Sequence, residues 1–330
     1  MTTKPNNPVT IHHSLFTLFI TALLTLSAPQ ADAQQYPAKP VRLVTGFAGG
    51  SDLMARMVAQ YLSPELGQQV YVEQRLGAAG NIGFELVARS APDGYTLLLG
   101  PITLVTNPFI YPKVNYDTLK DFAPIILLST IPNGVFSHPS VPVKDLRDLV
   151  QLARKSPGKI AYASGGVGSA NHIAAEFLQS LAKVKLTHIP YKSATLGISG
   201  LMSGDADLVI TVVSSGVGYV KAGRLRGLAV LDKKRSAALP EMKTSGEAGY
   251  PELLAVNWYA LLAPAGTPRP IIDRLHAATR KVMSSSEAQS RLRGLGGEPE
   301  AGTPEQTAEF IRADFARWGK VIKEAGIKLQ

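Results

Sequence analysis

"KIAYASGGVGSANHIAAEFLQSL", residues 159–181, holds in one line the unit from which the chain is built. "KIAYAS" reads as a strand, and "IAAEFLQSL" carries apolar residues at helical spacing. Between them Ser164, Gly165, Gly168, Ser169 and His172 lie in a glycine-rich junction. Such a junction exposes the first amides of a helix and the positive end of its dipole. Glycine lets an anion approach that backbone closely, and Ser169 is placed to cap the helix. His172 would stand in the first helical turn, where the dipole disfavours an imidazolium, so it reads as a neutral hydrogen-bonding or packing residue.

The unit recurs upstream. "VRLVTGF" (41–47) reads as a strand, "AGGSD" breaks it, and Met54, Met57, Val58, Tyr61 and Leu62 follow at helical spacing. Phe47, Ala48, Gly49, Gly50, Ser51 and Asp52 thus form a first strand-to-helix loop, with Ser51 or Asp52 as the expected cap. "QVYVE" (69–73), "YTLLLG" (95–100), "PIILLS" (124–129), "LTHIPY" (186–191), "DLVITVV" (207–213) and "LRGLAVL" (225–231) complete the expected strands, alternating with helices and with a glycine loop at 76–83. Alternation of this kind predicts βαβ units and parallel sheets. From Pro268 onward only helices are expected, over 268–285, 286–296 and 304–326. They would pack back onto the first half. The expected architecture is α/β, with two doubly wound lobes joined by a hinge. Residues 34–132 and 257–330 form lobe I and residues 133–256 an inserted lobe II, with crossings near 131–136 and 254–259.

Bulk composition agrees. A chain of 330 residues, 45 % hydrophobic and 18 % charged, suits a globular protein of about two domains at roughly 150 residues each. Residues 14–28 carry no charge, and Ala31 and Ala33 form an A-x-A site, so residues 1–33 read as a signal peptide cleaved after Ala33. The apolar run is short for a membrane span. Absence of cysteine excludes disulfides, a thiol nucleophile and a lipidated anchor, and with an export signal it fits a bacterial periplasm. The net charge of +9 is dispersed, and Lys233–Arg235 has no interleaved aromatic residues, so nucleic acid is not the expected partner.

Catalytic patterns do not match. G-x-S-x-G is absent around Ser164, Ser169 and Ser199, and no nucleophile–base pair stands out. None of His138, His172, His188 and His276 has a second histidine at helical metal-site spacing, so no metal is expected. "GGVGSA" is neither G-x-G-x-x-G nor a Walker loop, and no cofactor is called for. Either glycine loop alone is equally what a tight turn with a capped helix would give. Two of them, one per lobe, favour an anion held by backbone amides between the lobes.

Ten stretches in order resemble one family. They are "YPAKPVRLVTGF", "GQQVYVEQRLGAAGNIG", "VARSAPDGYTLLLG", "NPFIYPKVNYDTLKDFAPI", "SPGKIAYASGGVGSANHIAAEF", "HIPYKS", "VKAGRLRGLAV", "KRSAALPEMKTSGEAGYPE", "WYALLAPAGTP" and "RWGKVIKEAGI". The chain resembles the periplasmic solute-binding proteins of tripartite tricarboxylate transporters, the Bug family. The resemblance implies a type II periplasmic-binding-protein clamshell. It implies a monomer that captures a di- or tricarboxylate or an aromatic acid and delivers it to transporter membrane subunits. A ligand-sensing subunit for a membrane receptor and a secreted hydrolase are the alternatives. The resemblance places ligand at Phe47–Asp52 and Ser164–His172, with Thr103 and Asn107 lining the same cleft. Two departures stand out. The Phe47–Asp52 loop is two residues shorter than the family pattern. Thr211 occupies the position where the family commonly has an aspartate that receives a ligand's amino group, which argues against amino-acid ligands.

Overall fold

A computed structural model describes residues 1–3 and 36–327, so the apolar run at 14–28 and the expected cleavage site at Ala33 lie outside the described residues. The chain divides into a short unit, Met1–Ala38, and a large one from Lys39 onward that carries the sheet. No helix among the described residues is long and apolar enough to cross a membrane.

The sheet starts as the sequence predicts. β1 (Val41–Thr45) is almost wholly buried, and it runs parallel to β2 (Val70–Gln74) on one side and to β3 (Thr96–Pro101) on the other. Helix α1 (Gly50–Leu66) covers it with Met54, Met57, Val58 and Leu62 and stops at Gly67, which adopts the left-handed conformation that favours glycine. A short 3-10 turn (Ala78–Gly80) leads into α2 (Asn81–Ala88), and α3 (Thr103–Ile110) follows β3. A second parallel set comprises β5 (Ala161–Ser164), flanked by β6 (Thr187–Pro190) and β7 (Leu208–Val212). Around it lie α4 (Leu146–Lys155), α5 (Ala170–Ala182), α6 (Ala194–Ser203), α7 (Val213–Lys221) and strand β8 (Arg226–Val230).

Two long strands join the sets. β4 (Phe122–Ser137) has 16 residues where the sequence pattern predicts a strand ending at 129. Its first part, Phe122–Pro132, pairs with β9 (Val256–Pro264), and its last part, Asn133–Ser137, pairs with β7 and β8. The expected crossing near 131–136 is therefore continuous strand. β9 is antiparallel to both β3 and β4, and β10 (Glu298–Pro299) is antiparallel to β4, so the first half-sheet is mixed rather than purely parallel. The reason is connectivity. The chain re-enters the first half-sheet from the second and so enters from the opposite end. The order is β2-β1-β3-β9-β4-β7-β5-β6.

Three helices close the chain: α8 (Arg269–Met283), α9 (Ser286–Gly294) and α10 (Pro304–Ala325). α10 starts with a capping box between Thr303 and Gln306. Its Phe315 meets Phe109 of α3 with ring centroids 4.7 Å apart, and its Trp318 meets Phe177 of α5 edge-on at 5.9 Å. One helix thus packs on both halves.

Two glycines separate packing from propensity. A Cβ on Gly46 would stand 2.6 Å from the Gly80 Cα, backbone against backbone, whereas a Cβ on the exposed, helical Gly218 meets nothing within 4 Å. Gly46→Ala should lower stability by about 1–3 kcal/mol through overpacking. Gly218→Ala should raise it by about 0.5–1 kcal/mol. Urea unfolding of both variants checks the opposite signs.

Candidate functional site

The register locates the site. Pro101, at the carboxyl end of β3, pairs with Tyr259, and Tyr259 pairs with Ser129 of β4. Four residues on, Asn133 pairs with Val212, the carboxyl end of β7. The carboxyl ends of the two parallel sets therefore converge on the strand crossing, the place where open α/β sheets take ligands. Three of the helices that start there lack a side-chain cap. α1, α3 and α7 begin at Gly49, Ile102 and Val212 with no side-chain cap. α5 and α6, which follow β5 and β6, are capped by Ser169 and Ser193. Uncapped first-turn amides are donors in want of an acceptor.

In the first loop, Gly49 with φ of 70° starts α1, so neither Ser51 nor Asp52 is the cap that residue type suggested. The Ser51 hydroxyl donates instead to the Tyr259 hydroxyl at 3.1 Å. Asp52 accepts from Arg56 at 2.8 Å. Burial works to raise the Asp52 carboxyl, and the Arg56 guanidinium outweighs it and holds it below its ordinary value. Ala48, Gly49 and Gly50 are exposed, while Phe47 packs under Gly80.

Thr103 and Asn107 are buried on α3. The Asn107 amide donates to the Ala79 carbonyl at 2.8 Å and to Asn81 at 2.7 Å, which ties α3 to the 76–83 loop. Thr103 Oγ1 and Asn107 Oδ1 are buried without a protein partner, and so is Asn257 Oδ1 at the start of β9. Buried polar atoms of this kind call for a ligand or a water.

In the second loop Ser169 does cap α5, its hydroxyl accepting from the His172 amide at 3.3 Å. Gly168 has φ of 78°, and a Cβ there would face the Tyr111 ring at 3.7 Å. Tyr111 ends α3, so a residue of the first half touches the second loop. A Cβ on Gly165 would stand 3.0 Å from the Ala194 amide nitrogen. His172 is buried beneath the loop, with its ring 4.5 Å from that of His188. Burial pushes both down to about 4, and in His188 the neighbouring His172 adds to the effect, so both rings are neutral near pH 7. Thr211 is buried on β7 opposite Gly134.

Sequence reading found no nucleophile–base pair, yet Ser164 Oγ lies 2.7 Å from His188 Nε2. Ser164 is fully buried, and its hydroxyl is engaged by both the amide and the carbonyl of Gly166. This is the geometry of a structural pair, not of an exposed nucleophile. Tyr259, Tyr111, His188 and Asn257 carry no local motif that marks them. Tyr259 was within reach, because "VNWYALLAP" has the length and apolarity of a strand. A cavity of about 520 Å³ lies away from these loops, between α7, β8 and the 238–242 segment.

The sequence profile described as tripartite tricarboxylate transporter family receptor matches residues 54–327. Protein BugT of Bordetella pertussis is 33 % identical over 309 residues, 92 % of this chain and 94 % of that protein. Rpa4515 of R. palustris, solved with adipate, has 34 % identity and a TM-score of 0.81 over 89 % of this chain and 100 % of that one. MatC of Rhodopseudomonas palustris, solved with malate, has 29 % identity and a TM-score of 0.78 over 87 % and 100 %. The fold is the two-lobed α/β fold of periplasmic solute-binding proteins.

The histidines make stability depend on pH. Unfolded, each takes up a proton near its ordinary value of about 6.5, whereas folded they resist protonation until about 4. The unfolded state binds more protons across that window, so stability is full above it and falls as pH drops from 6.5 towards 4. Thermal unfolding should show this slope in the parent and a flatter one in the His172→Gln, His188→Gln double variant. Equal slopes would remove the histidines as the cause.

Proposed function

The chain belongs to the tripartite tricarboxylate transporter receptor family, and we propose that it is an extracytoplasmic binding protein. It captures a small carboxylate between its lobes and delivers it to the membrane subunits of such a transporter. The observation that carries this reading is the convergence of three uncapped helix N-termini, those of α1, α3 and α7, on the strand crossing. Arg56, the cation beside the first loop, is already engaged by Asp52. The anion is therefore met by amides and helix ends. Phe47–Asp52 and Ser164–His172 hold its two ends, with Thr103, Asn107 and Thr211 beside them. The protein binds and releases without turnover, as a monomer.

Residues 34–132 with 257–330 are lobe I and residues 133–256 lobe II. The pivot lies where β4 changes partners between Pro132 and Asn133, with β9 starting alongside at Val256. Asn133 bonds the Ala255 carbonyl at 2.9 Å there. A hinge at these few residues lets the lobes close on the ligand.

Calorimetry with adipate, malate and citrate should give single-site binding of at least one of them. Gly168→Val should abolish it, because valine is strained at that positive φ. Aspartate and glutamate should bind at least about tenfold more weakly, since Thr211 offers their ammonium no charged partner and such a bond is worth about 1.5–3 kcal/mol. Small-angle scattering on the same samples should show a smaller radius of gyration with ligand. An absence of heat with every di- and tricarboxylate overturns the reading, and turnover of an ester substrate would replace it with a hydrolase.

Export follows from residues 1–33. Mass spectrometry of protein from the periplasm should find Gln34 as the first residue. An intact Met1 terminus on that material would refute cleavage after Ala33.

A further inference from the structure

His188 and His172 sit behind the second loop and bind it at two points. Tyr162 of β5 and His188 of β6 are register partners, with their rings stacked 4.8 Å apart. Ser164 stands two residues beyond Tyr162 and so on the same face of the sheet. His188 Nε2 reaches its hydroxyl at 2.7 Å. That hydroxyl accepts from the Gly166 amide at 3.0 Å. His172, in the first turn of α5, turns its ring back so that Nδ1 accepts from the Gly168 amide at 3.4 Å.

The hydrogen bonds define the tautomer of His172. Nδ1 of His172 accepts, so its proton is on Nε2. The Ser164 hydroxyl accepts from the Gly166 amide at 3.0 Å and bonds His188 Nε2 at 2.7 Å, with the Gly166 carbonyl farther off at 3.3 Å. Both rings are neutral in this arrangement, in keeping with their burial. Tyr162 donates in turn to Glu176 at 2.6 Å and so holds the stacked side of His188.

The loop's amides are thereby sorted. Those of Gly166 and Gly168 are tied inward by Ser164 and His172, and that of Ser169 donates to the Gly166 carbonyl at 3.1 Å. Among the described residues the Gly165, Val167, Ala170 and Asn171 amides have no protein acceptor. Val167 is 41 % exposed.

We propose that His188 and His172 are positioning residues that hold the Gly166 and Gly168 amides of the second loop inward, leaving the Gly165 and Val167 amides, with the first-turn amides of Ala170 and Asn171, as its donors to a ligand carboxylate. This rests on the reading that the loop binds a carboxylate. His188 acts through Ser164 and touches no ligand.

The test uses the mature chain and adipate as probe, with malate as a second probe. Circular dichroism checks the fold, calorimetry the affinity, and amide exchange by NMR the Gly166 and Gly168 protons. In His188→Ala, adipate affinity should fall about tenfold or more, the loss of more than one typical hydrogen bond, with faster exchange at Gly166. His188→Gln, which keeps an amide able to bond the Ser164 hydroxyl near the position of Nε2, should recover affinity to within about threefold of the parent. Ser164→Ala should reproduce the His188→Ala loss and serves in its place if that variant does not fold. Parent-like affinity in folded His188→Ala or Ser164→Ala overturns the positioning role. Equal loss in His188→Gln and His188→Ala also overturns it, because packing alone would then account for the effect. A parent that binds neither adipate, malate nor citrate removes the carboxylate reading itself, and the inference falls with it.

Discussion

One strand has to satisfy its backbone in two half-sheets at once. β4 bonds β9 along Phe122–Pro132 and then β7 and β8 along Asn133–Ser137. Proline at the point of exchange suits this demand. Pro132 has no N–H to place, so nothing is orphaned where one ladder ends and the next begins. Asn133 then restores continuity from its side chain and its backbone, both of which donate to the Ala255 carbonyl, at 2.9 and 3.2 Å. Its own carbonyl accepts from Leu231 at 2.8 Å. The carboxyl ends of both parallel sets reach the site because this strand aligns them.

The C-terminal helix constrains the same geometry from behind. The Thr307 hydroxyl accepts from the Leu127 amide at 2.9 Å, and Trp258 of β9 donates to Asp314 at 2.8 Å. Arg317 spans Asp314 and the Leu254 carbonyl beside the crossing. Trp318 lies against Phe177 of α5, the helix that carries the second loop at its start. A displacement of α5 is therefore felt at Trp318.

Much of this was legible because the strand-to-helix units are local. Apolar runs, glycine breaks and helical periodicity all fall within about twenty residues. The unpredicted parts depend on partners distant in sequence. The apolar run "PIILLS" predicts a strand over 124–129, and Pro132, Asn133 and Gly134 become strand only through β7, β8 and β9. Ser51 and Asp52 are good caps by residue type, but the conformation of Gly49 starts α1 earlier and frees both for other partners. Ser51 meets Tyr259 208 positions away. Ser164 and His188 are 24 apart and meet through the β5–β6 register, which no single-strand pattern reveals.

The shortened first loop has a physical counterpart beside it. Gly77, Ala78, Ala79 and Gly80 all have positive φ, and for the two alanines this costs about 1–3 kcal/mol each. The surroundings over-determine that conformation. Asn107 holds the Ala79 carbonyl, and the Gly80 backbone lies so close to Gly46 that only glycine fits at 46. Strain kept next to the Phe47–Asp52 loop implies that the fold itself sets the loop's shape. The proposed amide site needs this, because amides that had to reorganise would lose much of what they contribute to a desolvated carboxylate. Lobe I achieves it with strained backbone tied to α3, and lobe II with two neutral rings under a glycine loop. Rigidity thus lies within each proposed lobe, and the proposed closure falls to the few residues where β4 and β9 cross.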